Sequence, residues 1–306
     1  MVTGYQNFFT NRILTKISET PKCTTCYNPA MKQSLTLLSY NVFGAPFHGQ
    51  KIIATLLRTK VRRRFRLIAK EITKKNFDFL LFQEVHTYPH LFVLKRALPK
   101  EYKVYFQLGI YGPKGGMVTF SKKKISKKLF VDFYDKGVLW NRSITGPLTQ
   151  KGMLLLKIKD TQTWVINTHL TQNSSGVWGN KSVYTKILTS QLRQCAASLS
   201  SLQKKGYSIV VGGDFNMPHT SELYTKFIKE SDMSDVFEKS TTSTYLQWFE
   251  GEKKSERIDF IFYTKSPSLK LEKKEYIFTQ ALKNEKGEKQ LLSDHVGLFA
   301  TFSTKA

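Results

Sequence analysis

Asp214 and Asn216 stand two residues apart in the stretch SIVVGGDFNM, residues 208–217. Ile209, Val210 and Val211 are the β-branched run of a strand covered on both faces. Gly212 and Gly213 then permit a tight turn. Where strand geometry persists past them, Asp214 and Asn216 point to one side. The ordinary alternative is an Asx turn, with Asp214 capping the backbone two residues on. Recurrence favours a site. Asn41 ends the apolar run LTLLSY, Glu84 ends FDFLLFQ, His169 ends TWVINT, and Asp294 and His295 precede the last strand-like run. Strands that share a core bring their ends to one rim. Asn41, Glu84, His169, Asp214, Asn216, Asp294 and His295 are therefore expected together. Carboxylates and amide oxygens are hard donors suited to Mg²⁺. No phosphate-binding Gly-Lys loop, G-x-S-x-G elbow or dinucleotide fingerprint is present.

The elements that must position these residues are readable in order. Residues 1–33 form a polar lead-in, and 34–306 one domain without a linker or repeat. A helix is expected over Ile52–Asn76, with Leu57, Val61, Phe65, Ile68 and Ile72 on one face and Arg58, Arg62, Arg63, Arg66 and Lys70 solvated on the other. Further strands are expected at YKVYFQL, GMVTFS, LFVDFY, GMLLLKI and RIDFIFY, and a short helix after Pro89. Ser182 opens a long helix to about Lys205, with Cys195 inside its apolar stripe and Gly206 as its stop. Thr220 is the expected N-cap of a helix to Glu230. The Lys-rich segment 270–290 reads as a surface excursion.

Composition sets limits. The 306 residues, 41% hydrophobic, suffice for a sizeable core. A net charge of +25 points to a polyanionic partner or to a lysine-rich solvated surface, since the lysines are dispersed. Three cysteines, Cys23, Cys26 and Cys195, do not make a disulfide framework, and one CxxC supplies half of a zinc site. No signal peptide and no run near the ~20 apolar residues of a spanning helix is read. The expected location is cytoplasmic or peripheral to a membrane, with export left open, and the expected state is a monomer.

The pairs YN (40–41) and QE (83–84), then NTHL (167–170), GDFN (213–216), RIDF (257–260) and SDH (293–295), occur in the order seen in the endonuclease/exonuclease/phosphatase superfamily. That DNase I-like group includes DNase I, abasic-site endonucleases, inositol polyphosphate 5-phosphatases and neutral sphingomyelinases. The resemblance runs from about Leu35 to Phe302. SYNVFGAPF, GGMVTFSK, KGMLLLKI, and THLTQ followed by SQLRQ resemble the sphingomyelinase branch. Trp178 and Trp248 would suit a lipid interface, although no long aromatic hairpin is found.

The resemblance implies a four-layer α/β sandwich, two packed, mainly antiparallel sheets with helices outside. It implies Mg²⁺, with Mn²⁺ or Co²⁺ able to substitute, held by Glu84 with Asn41 nearby and Asp294 on the second side. His295 would be the general base, oriented by Asp259. Asp214 and Asn216 would position the water and a phosphate oxygen, and His169 would donate to the phosphate or protonate the leaving group. The expected activity is a Mg²⁺-dependent phosphodiesterase, sphingomyelinase-like, acting on phospholipid at a membrane surface. Its alternatives are a nuclease of the same superfamily acting on nucleic acid, and a non-catalytic basic binding protein.

Overall fold

The computed structural model describes residues 32–44, 54–136, 150–173, 179, 182–246, 255–283 and 289–305. Cys23, Cys26, Trp178 and Trp248 lie outside these residues. The apolar runs become the middle strands of two six-stranded sheets. In the first, β1 (Lys32–Asn41) and β2 (Phe79–Gln83) lie side by side in parallel, joined across helix α1 (Ala54–Thr73). Helix α2 (Tyr88–Ala97) follows, then β3 (Lys103–Tyr105) and β4 (Val118–Ser121) extend the sheet antiparallel.

The second sheet repeats this plan. Strands β5 (Ile125–Asp132), β6 (Gly152–Ile158) and β7 (Thr163–His169) are antiparallel, and α3 (Val183–Lys204) crosses from β7 to a parallel β8 (Ser208–Asp214). Helix α4 (Glu222–Ser231), the short β9 (Ser234–Asp235) and the ribbon of β10 (Tyr245–Leu246) with β11 (Ser255–Glu256) lead to β12 (Asp259–Tyr263), which lies antiparallel to β8. The chain returns to the first sheet with β13 (Leu269–Ile277). After the ribbon of β14 (Leu282–Lys283) with β15 (Lys289–Gln290), β16 (Gly297–Lys305) enters between β13 and β1.

Three apolar layers hold the four structural ones together. Leu37, Leu81, Leu154, Val210, Ile261 and Phe302 pack between the sheets. Tyr40, Phe82, Phe65, Ile68 and Leu94 bury α1 and α2 on the first sheet. Trp164, Ile209, Val211, Leu192, Cys195 and Phe227 bury α3 and α4 on the second. In β8, Val210 faces the other sheet while Ile209 and Val211 face the helices, the period-2 alternation of a strand covered on both sides.

Some expectations change. The pair Gly212–Gly213 does not turn: β8 runs through it to Asp214. A Cβ at Gly212 would come within 2.9 Å of Leu81 Cδ1 and 3.0 Å of Ser39 Cβ on the opposite sheet, and one at Gly213 within 2.0 Å of the Thr168 carbonyl oxygen. Gly212 serves close approach of the two sheets and Gly213 close approach to the neighbouring strand β7, rather than a bend. Segment 270–290 is no excursion at its start, since β13 is a sheet edge. Its Lys270, Lys273 and Lys274 face water while Leu269 and Ile277 are buried, the usual protection of an edge strand. Helix α4 is capped by Ser221, not Thr220: Ser221 Oγ accepts from Tyr224 N at 3.3 Å. YKVYFQL shortens to three strand residues, and α1 ends at Thr73 rather than Asn76, where Lys74 and Lys75 donate to carbonyls three residues back.

Candidate active site

The two central strands β1 and β8 end in the same local device. Phe43 N donates to Asn41 Oδ1 at 3.0 Å, and Asn216 N donates to Asp214 Oδ1 at 2.9 Å. Both are Asx turns, and both acceptors' partners sit at positive φ, +48° for Phe43 and +50° for Asn216. The Asx turn and the site are thus one arrangement. Each residue uses one atom to turn its own chain and keeps the other for the cleft. Those free atoms meet: Asn41 Nδ2 donates to Asp214 Oδ2 at 3.0 Å, across the sheets, and to Glu84 Oε1 at 3.1 Å.

Glu84 follows β2 at φ +63°, a conformation a non-glycine residue holds at a cost. Its neighbours fix it. Val85 N donates to the Gly116 carbonyl at 2.8 Å, and a Cβ at Gly116, itself at φ +66°, would lie 3.0 Å from Glu84 Cα. The second carboxylate oxygen, Oε2, is buried without a hydrogen-bond partner. A buried carboxylate oxygen left bare fits a cation. Among the described residues, ligand atoms of Glu84, His169 and Asp214 lie within 4.8 Å of one another, as do those of Asp214, Asp259 and His295. The donors are mostly oxygens, which suits a hard divalent ion.

His295 Nδ1 lies 2.8 Å from Asp259 Oδ2, while its Nε2 faces Asp214 Oδ2 at 3.9 Å and Asp294 Oδ1 at 4.0 Å. Asp259 pairs directly with Asp214 in the sheet, and Thr244 Oγ1 accepts from Asp259 N at 3.0 Å, so its carboxylate is aimed by backbone bonds. Burial pulls the His295 pKa down, but Asp259, Asp294 and Asp214 outweigh it and hold the imidazolium well above the ordinary range. Burial also raises Glu84, yet His86, His295, Asn41 and Lys151 hold its carboxyl below the usual value. Asp214 goes the other way: burial, then Asp259, pushes it up to about 7.

Ser293 Oγ donates to the Asn41 carbonyl at 2.7 Å and accepts from His295 N at 3.2 Å, tying the chain before β16 to the end of β1. The seven rim residues are therefore one cluster, and most of it is buried: His295, Asp214 and Asn41 are nearly inaccessible. Two are more committed than the sequence suggests. Asn216 Nδ2 donates to the Leu170 carbonyl at 2.9 Å, and Asp294 lies beside His295 outside both ligand groups.

Three residues escaped the sequence. Lys151 Nζ lies 2.9 Å from His169 Nε2 and also donates to the Leu170 carbonyl. An ammonium has only protons to give, so His169 Nε2 accepts and its Nδ1–H faces the Gly115 carbonyl at 3.4 Å. Burial, then Lys151, holds His169 neutral, with its pKa well below the ordinary value. Burial lowers Lys151 itself to about 8. Arg64, buried on the apolar stripe of α1 between Val61 and Phe65, donates to the carbonyls of Val42, Leu292 and Phe43, clamping the loops after β1 and before β16. Arg257, fully buried over the Phe260 ring at 4.7 Å, donates to Asp235 Oδ2 at 2.7 Å and steadies the start of β12. Arg64 was marked by its place on an apolar face. Lys151 precedes a strand instead of ending one and carries no local mark.

A four-layer sandwich with a His–Asp pair and a carboxylate cluster where both sheets end defines a DNase I-like fold. The chain belongs to the endonuclease/exonuclease/phosphatase family, whose model matches residues 38–295. Among curated proteins, none matches by sequence. Solved structures do. Beta toxin from Staphylococcus aureus is 23% identical with a TM-score of 0.66, covering 87% of this chain and 99% of that one. Sphingomyelinase C from Streptomyces griseocarneus is 19% identical at 0.63, covering 88% and 99%. TDP2 from D. rerio, complexed with a single-strand DNA product, is 16% identical at 0.64, covering 89% and 99%.

Proposed function

We propose that this chain is a metal-dependent phosphodiesterase that hydrolyses a phospholipid headgroup of the sphingomyelin kind by in-line attack of water on phosphorus. The observation that carries the reading is the His295–Asp259 pair facing Asp214 at the shared strand ends, beside the bare carboxylate oxygen of Glu84. Asp259 fixes the Nδ1–H tautomer of the neutral ring, whose Nε2 takes the proton of the attacking water, and stabilises the imidazolium that results. Asp214 orients that water from the opposite side. Lys151, 2.9 Å from His169 Nε2, offsets the charge that builds on the phosphoryl oxygens. Glu84, with Asn41 and Asp214 next to it, would hold Mg²⁺, which when bound supplies a Lewis acid for a phosphoryl oxygen; Asp294, beside His295, lies outside that ligand group. The lipid headgroup is favoured by the motifs shared with the sphingomyelinase branch and by the likeness to sphingomyelinase C.

A second reading, a nuclease, is supported by the +25 charge and by the likeness to TDP2. A non-catalytic binding protein fits less well, because every matched catalytic position is filled. The test is turnover at physiological salt, with and without Mg²⁺, on sphingomyelin in mixed micelles, abasic duplex DNA and a soluble inositol polyphosphate. Mg²⁺-dependent release of phosphocholine, lost in His295→Ala, is the expected result. DNA cleavage without phosphocholine release would overturn the lipid reading in favour of the nuclease.

A further inference from the structure

Large apolar side chains are bare at one corner of the molecule. Between β3 and β4 the sequence FQLGIYGP forms a tip on which Leu108 is 66% exposed, Ile110 80% and Tyr111 74%. Phe92, on α2, is 62% exposed. The tip and α2 are joined: Tyr88 N donates to the Tyr111 carbonyl, and the Tyr88 hydroxyl donates to the Gly109 carbonyl at 2.6 Å. Phe92 is one helical turn from Tyr88, so the four side chains belong to one corner. Singly exposed apolar residues are ordinary, but a gathered set marks a contact surface.

The tip is built rather than slack. Lys114 N donates to the Gln107 carbonyl at 2.9 Å, and Leu108 and Pro113 form an antiparallel bridge. A Cβ at Gly109 would come within 2.6 Å of the Gly112 carbonyl oxygen, and one at Gly112 within 2.2 Å of that of His86. The backbone is held tightly while the side chains point out. Through His86, two residues past Glu84, the tip abuts the active site.

The flanks are cationic. Lys95 and Arg96 are exposed three and four residues beyond Phe92 on α2, and exposed Lys128 donates to the Phe106 carbonyl at 3.0 Å at the base of the tip. The acid nearby, Asp132, is bonded to Lys114 at 2.9 Å. Apolar side chains ringed by Lys and Arg suit the boundary of acyl chains and anionic headgroups.

We infer that Leu108, Ile110, Tyr111 and Phe92, flanked by Lys95, Arg96 and Lys128, dock this protein on a bilayer containing anionic phospholipid, with the active-site mouth beside the contact. The inference rests on the lipid reading above but is read out by binding, so the two can fail separately. The experiment is co-sedimentation of the full chain with phosphatidylcholine vesicles carrying one-fifth phosphatidylserine, comparing wild type with the triple variant Leu108→Ser, Ile110→Ser, Tyr111→Ser. A single Ile110→Trp variant, at a position with room for the ring, adds a fluorescence readout. Expected are at least tenfold weaker vesicle binding by the triple variant and unchanged hydrolysis of soluble bis(4-nitrophenyl) phosphate. The Ile110→Trp emission should shift to the blue on vesicles and be quenched by brominated acyl chains. Equal binding of wild type and triple variant, or an unshifted emission, would overturn the docking surface. So would loss of a dimer, seen by sedimentation velocity, in place of loss of vesicle binding. Vesicle binding without phosphocholine release would leave the surface standing and remove only the substrate.

Discussion

The ends of β1 and β8 use one local design to opposite purposes. Each is a central strand with a parallel partner on one side and an antiparallel one on the other. Each ends in a residue whose side-chain oxygen caps the backbone two positions on. At β1 the residue is an amide, so the atom left over is a donor, and it bridges two carboxylates. At β8 it is a carboxylate, so the atom left over is an acceptor facing His295 and His169 at 3.9 and 3.6 Å. One donor between two acids is what lets Glu84 and Asp214 share a buried cleft. The β1 side is left with a bare oxygen for a cation, and the β8 side is surrounded by groups that move protons.

Removing the carboxylate from the β8 end should cost most. Asp214→Asn keeps the Asx turn, because an amide oxygen can still accept from Asn216 N, but turnover should fall on the order of 10⁴-fold with an unchanged circular dichroism spectrum. Activity within tenfold of wild type would dissolve the division of roles. Lys151→Met should lower turnover by about 10²–10³-fold. The lysine is a cation below about 8 and loses its charge as pH rises through that value. The wild-type pH profile should therefore decline above about 8, and the variant's should lack that limb.

Making the two ends alike is the next test. Asn41→Asp replaces the bridging donor by a third carboxylate, and turnover should fall about 10²-fold. Thermal unfolding without metal should drop by about 1–3 kcal/mol of stability. Saturating Mg²⁺ should recover part of that loss; equal loss with and without Mg²⁺ would show that the amide does not hold the acids for a cation. The smallest effect concerns protons. With Asp214 pushed up to about 7 and a ligand atom of it within 4.8 Å of one of Glu84, a cation held there favours its unprotonated form. Mg²⁺ affinity, by isothermal titration calorimetry, should be about tenfold tighter at pH 8 than at pH 6, with proton release seen as a dependence on buffer ionisation enthalpy. An affinity flat across that range would place the cation away from Asp214.

Much of this is legible in the sequence alone. An apolar run that stops at Asn41, Glu84, His169 or Asp214 announces both a buried strand and a polar end, because a side chain closing such a run must face a cleft or a cap. The same logic read Gly212–Gly213 as a turn, since sequence shows that glycine lacks a side chain but not which neighbour needs the space. It read 270–290 as surface because charge density hides the alternation of an edge strand. It passed over Lys151, one lysine in a chain with 48 Lys and Arg.

The sequence by itself determined the central strands and the family, since local periodicity and short motifs are written along the chain. Tertiary structure alone decided which side-chain atoms meet. The bond from Asn41 to Asp214 spans 173 positions and depends on two sheets approaching at Gly212, a distance set by packing and not by any local run. The environment of Lys151 is decided in the same way. Burial, only partly offset by the Asp214 and Glu84 carboxylates, turns an ordinary lysine into one whose charge is lost near pH 8.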